Sequence, residues 1–298
     1  MLLMSSFETA GVLPPADDAG GSSSPCPVTL IEHRRGMRRL DLRDLWWRRE
    51  LLYYLVWRDV TIRYKQSVFG IGWALIQPLG AILVFSLLFG RWVGLGEQTG
   101  AIPYPVFVFS GLLPWQLFSR SLLNASNSVV SNNHIITKIY FPRLLAPLSS
   151  VGSVLLDVLI GLAALLVMMF YFGVPLGPSV LLLPLILLML CLASLSFGIW
   201  LSAVFVAYRD VQQVAPFVIS LWMWLSPVVY PPSIVPEHHR WLLAFNPMTG
   251  LIAGFRYSLL GQEMDWTALG VAAAMIVLAL PASIYYFRRK EDTFADII

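Results

Sequence analysis

The sequence predicts an all-α membrane protein with six transmembrane helices. Three observations carry that expectation. Only 12% of the 298 residues are charged, against 57% hydrophobic, and mean hydropathy is +0.71; a soluble domain carries about a quarter charged residues. Six apolar stretches reach or approach the roughly 20 residues that a helix needs to cross a bilayer. The basic residues gather in alternate connections, as cytoplasmic segments do.

Residues 1–35 read as a disordered tail. Pro14, Pro15, Gly20, Gly21, Pro25 and Pro27, with Ser22–Ser24, leave little to pack. A basic segment followed by an apolar one, the mark of a secretory signal, is missing. Cys26 lies in this polar tail and Cys191 in an apolar run, so they make a poor disulfide pair. The net charge of +3 is modest and suggests no nucleic-acid partner.

Residues 36–66 form the next region, an N-terminal amphipathic interface helix whose stripe is not clean. Within Asp41–Arg58, Trp46, Trp47, Tyr53, Tyr54 and Trp57 alternate with Arg and Leu, the chemistry of the headgroup layer. A cytoplasmic helix packed on a partner is the other reading. Residues 67–290 hold the spans, expected at Phe69–Val93, Tyr104–Leu123, Leu144–Tyr171, Val180–Ala207, Val211–Tyr230 and Ala268–Phe287. The third and fourth are long enough to imply tilt or extension beyond the membrane. Pro216 and Pro227 interrupt the fifth. Residues 291–298 form a cytoplasmic C-terminal tail.

Orientation follows from charge. Ten of the 20 Lys and Arg precede the first span; Lys138 and Arg143 fall in the second–third connection, Arg209 in the fourth–fifth, and Arg288, Arg289 and Lys290 follow the last. The remaining connections carry Glu97, Glu237, Glu263 and Asp265. Both termini are therefore expected in the cytoplasm.

Asp157 is the one acid well inside a span, a position that suggests a proton relay or ion site. Arg120 is its nearest candidate partner, but the span ends place the two at depths differing by roughly 13 Å. A proton pump would need a second acid or a histidine at matching depth, so a structural hydrogen bond between helices is favoured. His238 and His239 lack the third ligand of a metal site. No G-x-x-x-x-G-K-[ST] phosphate cradle occurs, so any ATPase is another polypeptide.

Trp92, Tyr104, Tyr285 and Tyr286 suit interfacial belts. Deeper, Phe69, Trp73 and Gln77 share one face of the first span, and Phe217, Ser220, Trp224 and Pro227 one face of the fifth, with Trp222 and Ser226 opposite. Rings beside small polar groups suit a passage for sugars; ordinary helix packing accounts for them equally well. The connection Ser126–Arg143 carries an apolar stripe of Val129, Val130, Ile135, Ile136 and Ile139. It reads as a short helix docking into a soluble partner, or as a linker. Pro231–Thr267 is too broken by proline to span and suggests two short re-entrant or interfacial helices over the external mouth, a natural gate.

Four segments together, RDVTIRYKQSVFGIGWALIQPL (58–79), NNHIITKIYFPRLLAPLSSV (132–151), YRDVQQVAPFVISLWMWLSPVVYP (208–231) and FNPMTGLIAGFRYSLLG (245–261), resemble the permease subunits of polysaccharide-exporting ABC transporters. This is the Wzm-type O-antigen family, with its capsule and teichoic-acid relatives. The resemblance implies a homodimer in the bacterial cytoplasmic (inner) membrane, paired with two ATPase subunits that bind ATP and Mg; this chain binds no cofactor or metal. The implied substrate is a lipid-linked polysaccharide. The implied coupling helix carries Asn132, Asn133, His134, Lys138, Tyr140 and Phe141. The implied pore, between two permeases, is lined by Phe69, Trp73, Gln77, Phe217, Ser220, Trp222 and Trp224. The implied external gate holds Trp241, Phe245 and Phe255. Alternatives are a drug or lipid exporter of the same superfamily and a membrane glycan-processing enzyme; the latter calls for paired carboxylates that the chain does not offer.

Overall fold

The computed structural model describes residues 48–65, 72–94, 96–97, 100, 102–132 and 143–297, without the side chains of 73, 74, 209 and 292–297. The N-terminal tail, Phe69 and most of the expected coupling helix (133–142) lie outside the described residues. Those described are helical, with no strand among them.

The helices are α1 (Arg49–Lys65), α2 (Trp73–Phe85), α3 (Tyr104–Ser131), α4 (Leu145–Tyr171), α5 (Leu183–Ala207), α6 (Arg209–Leu225), α7 (Arg240–Ala244), α8 (Pro247–Leu260) and α9 (Trp266–Ile297). A π-helical stretch, Ser86–Trp92, prolongs α2. Five helical segments are long and apolar enough to cross a membrane: Leu75–Trp92, Tyr104–Ser131, Leu145–Tyr171, Pro178–Ala207 and Trp266–Glu291. They match five of the six expected spans. The expected fifth span differs. Its helix stops at Leu225, and 17 residues rise only about 25 Å, short of a hydrocarbon core near 30 Å. Pro227 is the cause: proline drives the residue before it out of the α region, and Ser226 is extended at φ −105°, ψ 143°. The chain then continues as a buried, non-helical stretch from Ser226 to Val229.

Helix α3 is the centre of the bundle. Its membrane window is 78% buried, against 11% for Leu75–Trp92, and it packs on α4, α5 and α8. Small residues permit these approaches: a Cβ on Gly198 of α5 would meet Ala125 of α3 at 2.7 Å, and one on Gly161 of α4 would meet Leu113 at 2.6 Å. Ser126 and Ser194 hydrogen-bond back to their own turns, to Leu122 O and Leu190 O at 2.7 Å, so these two bring no unpaired donor to the contact. The principal core gathers Phe107, Phe118, Leu165, Ile186, Ile252 and Phe255. A second cluster at the other end joins Ala125, Val129, Leu144, Ile199 and Phe287.

Helix α1 runs along the first half of α4 in the same direction. Leu55 packs on Leu145, Val56 lies against Gly152, and Arg63 and Tyr64 reach Asp157. Tyr53, Tyr54 and Trp57 remain exposed. Two helices do form within the expected broken connection. Helix α8 is buried along most of its length. It is capped by the Asn246 side chain, which accepts from Met248 N, and it ends at Gly261, whose left-handed φ of 65° favours glycine.

One aromatic expectation is corrected. Tyr104 is no belt residue: it is buried, its hydroxyl donates to Val229 O at 2.8 Å, and its ring stacks on Phe107. Gly90 packs closely on that ring: a Cβ there would meet Tyr104 Cδ1 at 2.7 Å. Trp92 and Tyr285 are exposed.

Candidate functional site

Helices α2 and α6 leave a broad surface uncovered. On α2 and its π-helical extension, Ile76, Leu79, Leu83 and Leu87 are exposed, together with Gln77. On α6, Phe217, Ser220 and Trp224 share an exposed face, at spacings of three and four that stack on one side of a helix. The Ser220 hydroxyl donates to Pro216 O at 2.8 Å. Trp224 is held by two rings from the α2 stretch, Phe85 at 6.2 Å and Phe89 at 6.4 Å. Those rings join the two helices, and nothing in the sequence pattern singles them out.

Trp222 lies elsewhere. Its ring sits edge-on to Phe118 at 5.1 Å and Phe197 at 5.6 Å, inside a cluster drawn from α3, α5 and α6. Its indole N–H donates to Asn246 Oδ1 at 3.1 Å. Asn246 also donates to Ser226 Oγ at 2.8 Å, so one side chain caps α8 and ties it to the end of α6. Beside it opens a cavity of about 450 Å3. Trp224, Tyr230, His239, Leu242, Phe245 and Asn246 are among its lining residues. Of the three expected gate residues, Trp241 and Phe245 are exposed and pack edge to face at 6.3 Å. Phe255 is wholly buried in the core and belongs to the packing of α8. The rings of His238 and His239 lie 4.0 Å apart, and no metal-binding group of side chains occurs among the described residues.

Arg256 is a functional candidate that sequence reasoning missed. It is 3% exposed and donates to Pro227 O at 3.0 Å, Val228 O at 2.7 Å and Phe107 O at 3.4 Å. Its guanidinium lies 3.7 Å over the Phe107 ring. It staples the non-helical stretch after α6, whose carbonyls lack helical partners. An arginine at the middle of a short apolar helix is the signal that could have found it.

Asp157 is 5% exposed at its side chain. It pairs with Arg63 and accepts from the Tyr64 hydroxyl at 2.6 Å. The expected bond between helices is therefore present, but Arg120 is not the partner. Arg63 arrives because α1 continues to Lys65 alongside α4. Burial, and then the Asp157 carboxylate bonded to it, push the Tyr64 phenol up to about 12. Arg120 instead donates to Gln77 Oε1 at 2.6 Å. The contact of Leu113 with Gly161 fixes the antiparallel register of α3 and α4. It puts Arg120 and Asp157 only about one turn, roughly 5 Å, apart in depth. The larger sequence value fails because α3 runs on to Ser131, so the span ends used for counting are not level.

Asn132, at the end of α3, is the one expected coupling residue among those described. It accepts from Arg58 Nη2 of α1 at 2.8 Å. Across the connection, Arg143 bonds the Glu291 carbonyl of α9. Asn133, His134, Lys138, Tyr140, Phe141 and the Trp73 side chain lie outside the described residues.

Residues 50–260 match the family described as ABC-2 type transporter. An O-antigen export system permease protein, RfbA, of Myxococcus xanthus is 31% identical over 261 residues, covering 86% of this chain and 98% of that protein. An RfbA of Klebsiella pneumoniae is 26% identical over 250 residues, 84% of this chain and 95% of the relative. The polysialic acid transport protein KpsM of Escherichia coli is 23% identical over 244 residues, 79% and 91%.

Proposed function

This chain belongs to the ABC-2 type transporter family, and from that premise we propose that it is the membrane-spanning subunit of an ATP-driven exporter of a lipid-linked, O-antigen-like polysaccharide. Its relatives named for O-antigen export and polysialic acid transport support the substrate class. ATP and Mg belong to a partner ATPase, and the working unit is two copies of this chain with two ATPase subunits in the bacterial inner membrane. Helix α6 and the stretch after it make the remaining, fifth crossing of six, which returns both termini to the cytoplasm, in keeping with the lopsided Lys and Arg.

The observation that carries this reading is the exposed face of α2 and α6. Gln77, Ser220, Phe217 and Trp224 lie uncovered there, a mixture poorly matched to lipid but suited to a passage between two copies. Rings stack on the C–H faces of sugars while polar groups take hydroxyls. Each contact is modest, so a moving polymer is not stalled. Trp241 and Phe245 lie at the external mouth, where short helices can shift. Residues 132–141 couple the ATPase to the permease. Their ends are tied to α1 through Arg58 and to α9 through Arg143, so a push on them reaches several helices as a hinge or shear motion.

The test replaces Trp224 and Phe217 by Ala, singly and together, in the full chain with its ATPase. Export is expected to slow while the protein stays folded. Wild-type export from the folded double variant overturns the proposed lining. Trp222→Ala differs, because its ring belongs to the core cluster: it is expected to lower stability as well.

A further inference from the structure

Among the described residues, the charges around Asp157 do not balance. Arg63, Tyr64 and Asp157 form one bonded group, and Arg120 lies on the neighbouring helix about one turn from Asp157 in depth. Two guanidinium groups and one carboxylate leave one positive charge over. Gln77, a neutral amide, is the hydrogen-bond partner of Arg120 found among the described residues. An arginine offers five N–H donors in a planar fork, and its natural complement is a carboxylate or a phosphate.

Depth points to phosphate. Arg120 lies within about one turn of the level of Asp157, which the basic helix α1 reaches with Arg63. A long arginine side chain at that level, beside a helix that starts in the basic N-terminal region, can extend to the plane of lipid phosphates. Access is open on the same side. Gln77 is exposed, and Gly80 and Val84, which share its face of α2, are exposed as well, so a lipid chain can lie along that face while its phosphate meets the guanidinium.

We infer that Arg120 and Gln77 form a binding site for a lipid-borne phosphate at the cytoplasmic edge of α2 and α3. Arg120 supplies the charge and paired donors; the Gln77 amide N–H2, turned outward by the bond its oxygen accepts, supplies a further donor. Asp157 and Arg63 hold the site's far side and keep its net charge at one. The phosphate is either the headgroup of a membrane phospholipid or the linkage of the lipid anchor on the exported glycan. The second source rests on the function proposed above.

Binding can be read without transport. The full chain with its ATPase, in detergent, is titrated with a polyprenyl phosphate, the matching polyprenol, phosphatidylglycerol, a diacylglycerol and inorganic phosphate, following the thermal midpoint. A phosphate-bearing lipid is expected to raise the midpoint saturably and the two uncharged lipids not to. Arg120→Gln is expected to weaken the response at least about tenfold, as loss of a charge-assisted contact does, and Gln77→Leu less. Should Arg120→Gln fail to fold, Arg120→Lys keeps the charge without the fork and is expected to weaken binding measurably. A response to phosphatidylglycerol supports the site with bilayer lipid as its ligand. One confined to the polyprenyl phosphate supports it with the substrate anchor. Equal responses from wild type and the folded variants, or a response to inorganic phosphate as strong as to any lipid, overturn it. A chain that binds but exports no polysaccharide contradicts the proposed function and leaves the site standing.

Discussion

Asp157 can remain in a membrane-facing helix because α1 delivers two donors to it. Truncating Arg63 to Ala leaves a buried carboxylate with Tyr64 alone. Breaking a buried pair costs about 3–5 kcal/mol; Arg63 is 34% exposed, so a loss of about 2–3 kcal/mol is expected here. Replacing both by Leu removes the stranded charge, and the double variant is expected to recover to within about 1 kcal/mol of wild type. Thermal unfolding of the purified chain reads this cycle, and a double variant no better than the sum of the singles contradicts it. The Tyr64 phenol, held up to about 12, favours the folded state in its protonated form. Its contribution is full below the ordinary tyrosine value near 10 and is lost as the pH rises from there through about 12. Tyr64 is therefore expected to leave stability flat between about pH 6 and about pH 9, with Tyr64→Phe removing part of any fall above that range.

At the scale of elements, the contact of α8 with α9 is among the closest. A Cβ on Gly250 would meet the Ala268 carbonyl oxygen at 2.3 Å and the next backbone nitrogen at 2.7 Å, and backbone cannot swing aside. Gly250→Ala is expected to cost about 1–3 kcal/mol, and a larger residue to separate the helices; a thermal midpoint unchanged in Gly250→Ala contradicts that packing. Asn246→Ala removes a helix cap and the ties to Trp222 and Ser226, an expected loss of about 1–2 kcal/mol. Which of these elements were legible differs for physical reasons. Five long spans were, because an uncharged apolar run of bilayer length has few places to go but lipid. The exposed α6 face of Phe217, Ser220 and Trp224 was, because helical periodicity alone places them together. Trp222 was read as facing the same passage, yet its ring points into an aromatic cluster that only the meeting of three helices creates. Arg256 was not legible, because its partners are carbonyls freed by an extended stretch more than two dozen residues away. Arg63 was missed as the Asp157 partner because the end of α1 could not be placed along α4 by counting.

For the whole molecule, the uncovered face of α2 and α6 is expected to meet a second copy across the passage. With Cys26 and Cys191 replaced by Ser, Phe217→Cys in the full chain is expected to form a disulfide-linked dimer in membranes under mild oxidation, while Phe255→Cys, deep in the core, is not. A Phe217→Cys variant that stays monomeric contradicts the shared passage. The identity of the cargo is tested most directly in the cell. The chain is deleted while its ATPase and the glycan-synthesising enzymes are kept, and lipid-linked polysaccharide is measured on the cytoplasmic side of the inner membrane. Accumulation there, with loss of the polymer from the cell surface and clearance on restoring the wild-type chain, is the expected result. Unchanged surface polysaccharide with no cytoplasmic build-up would contradict it.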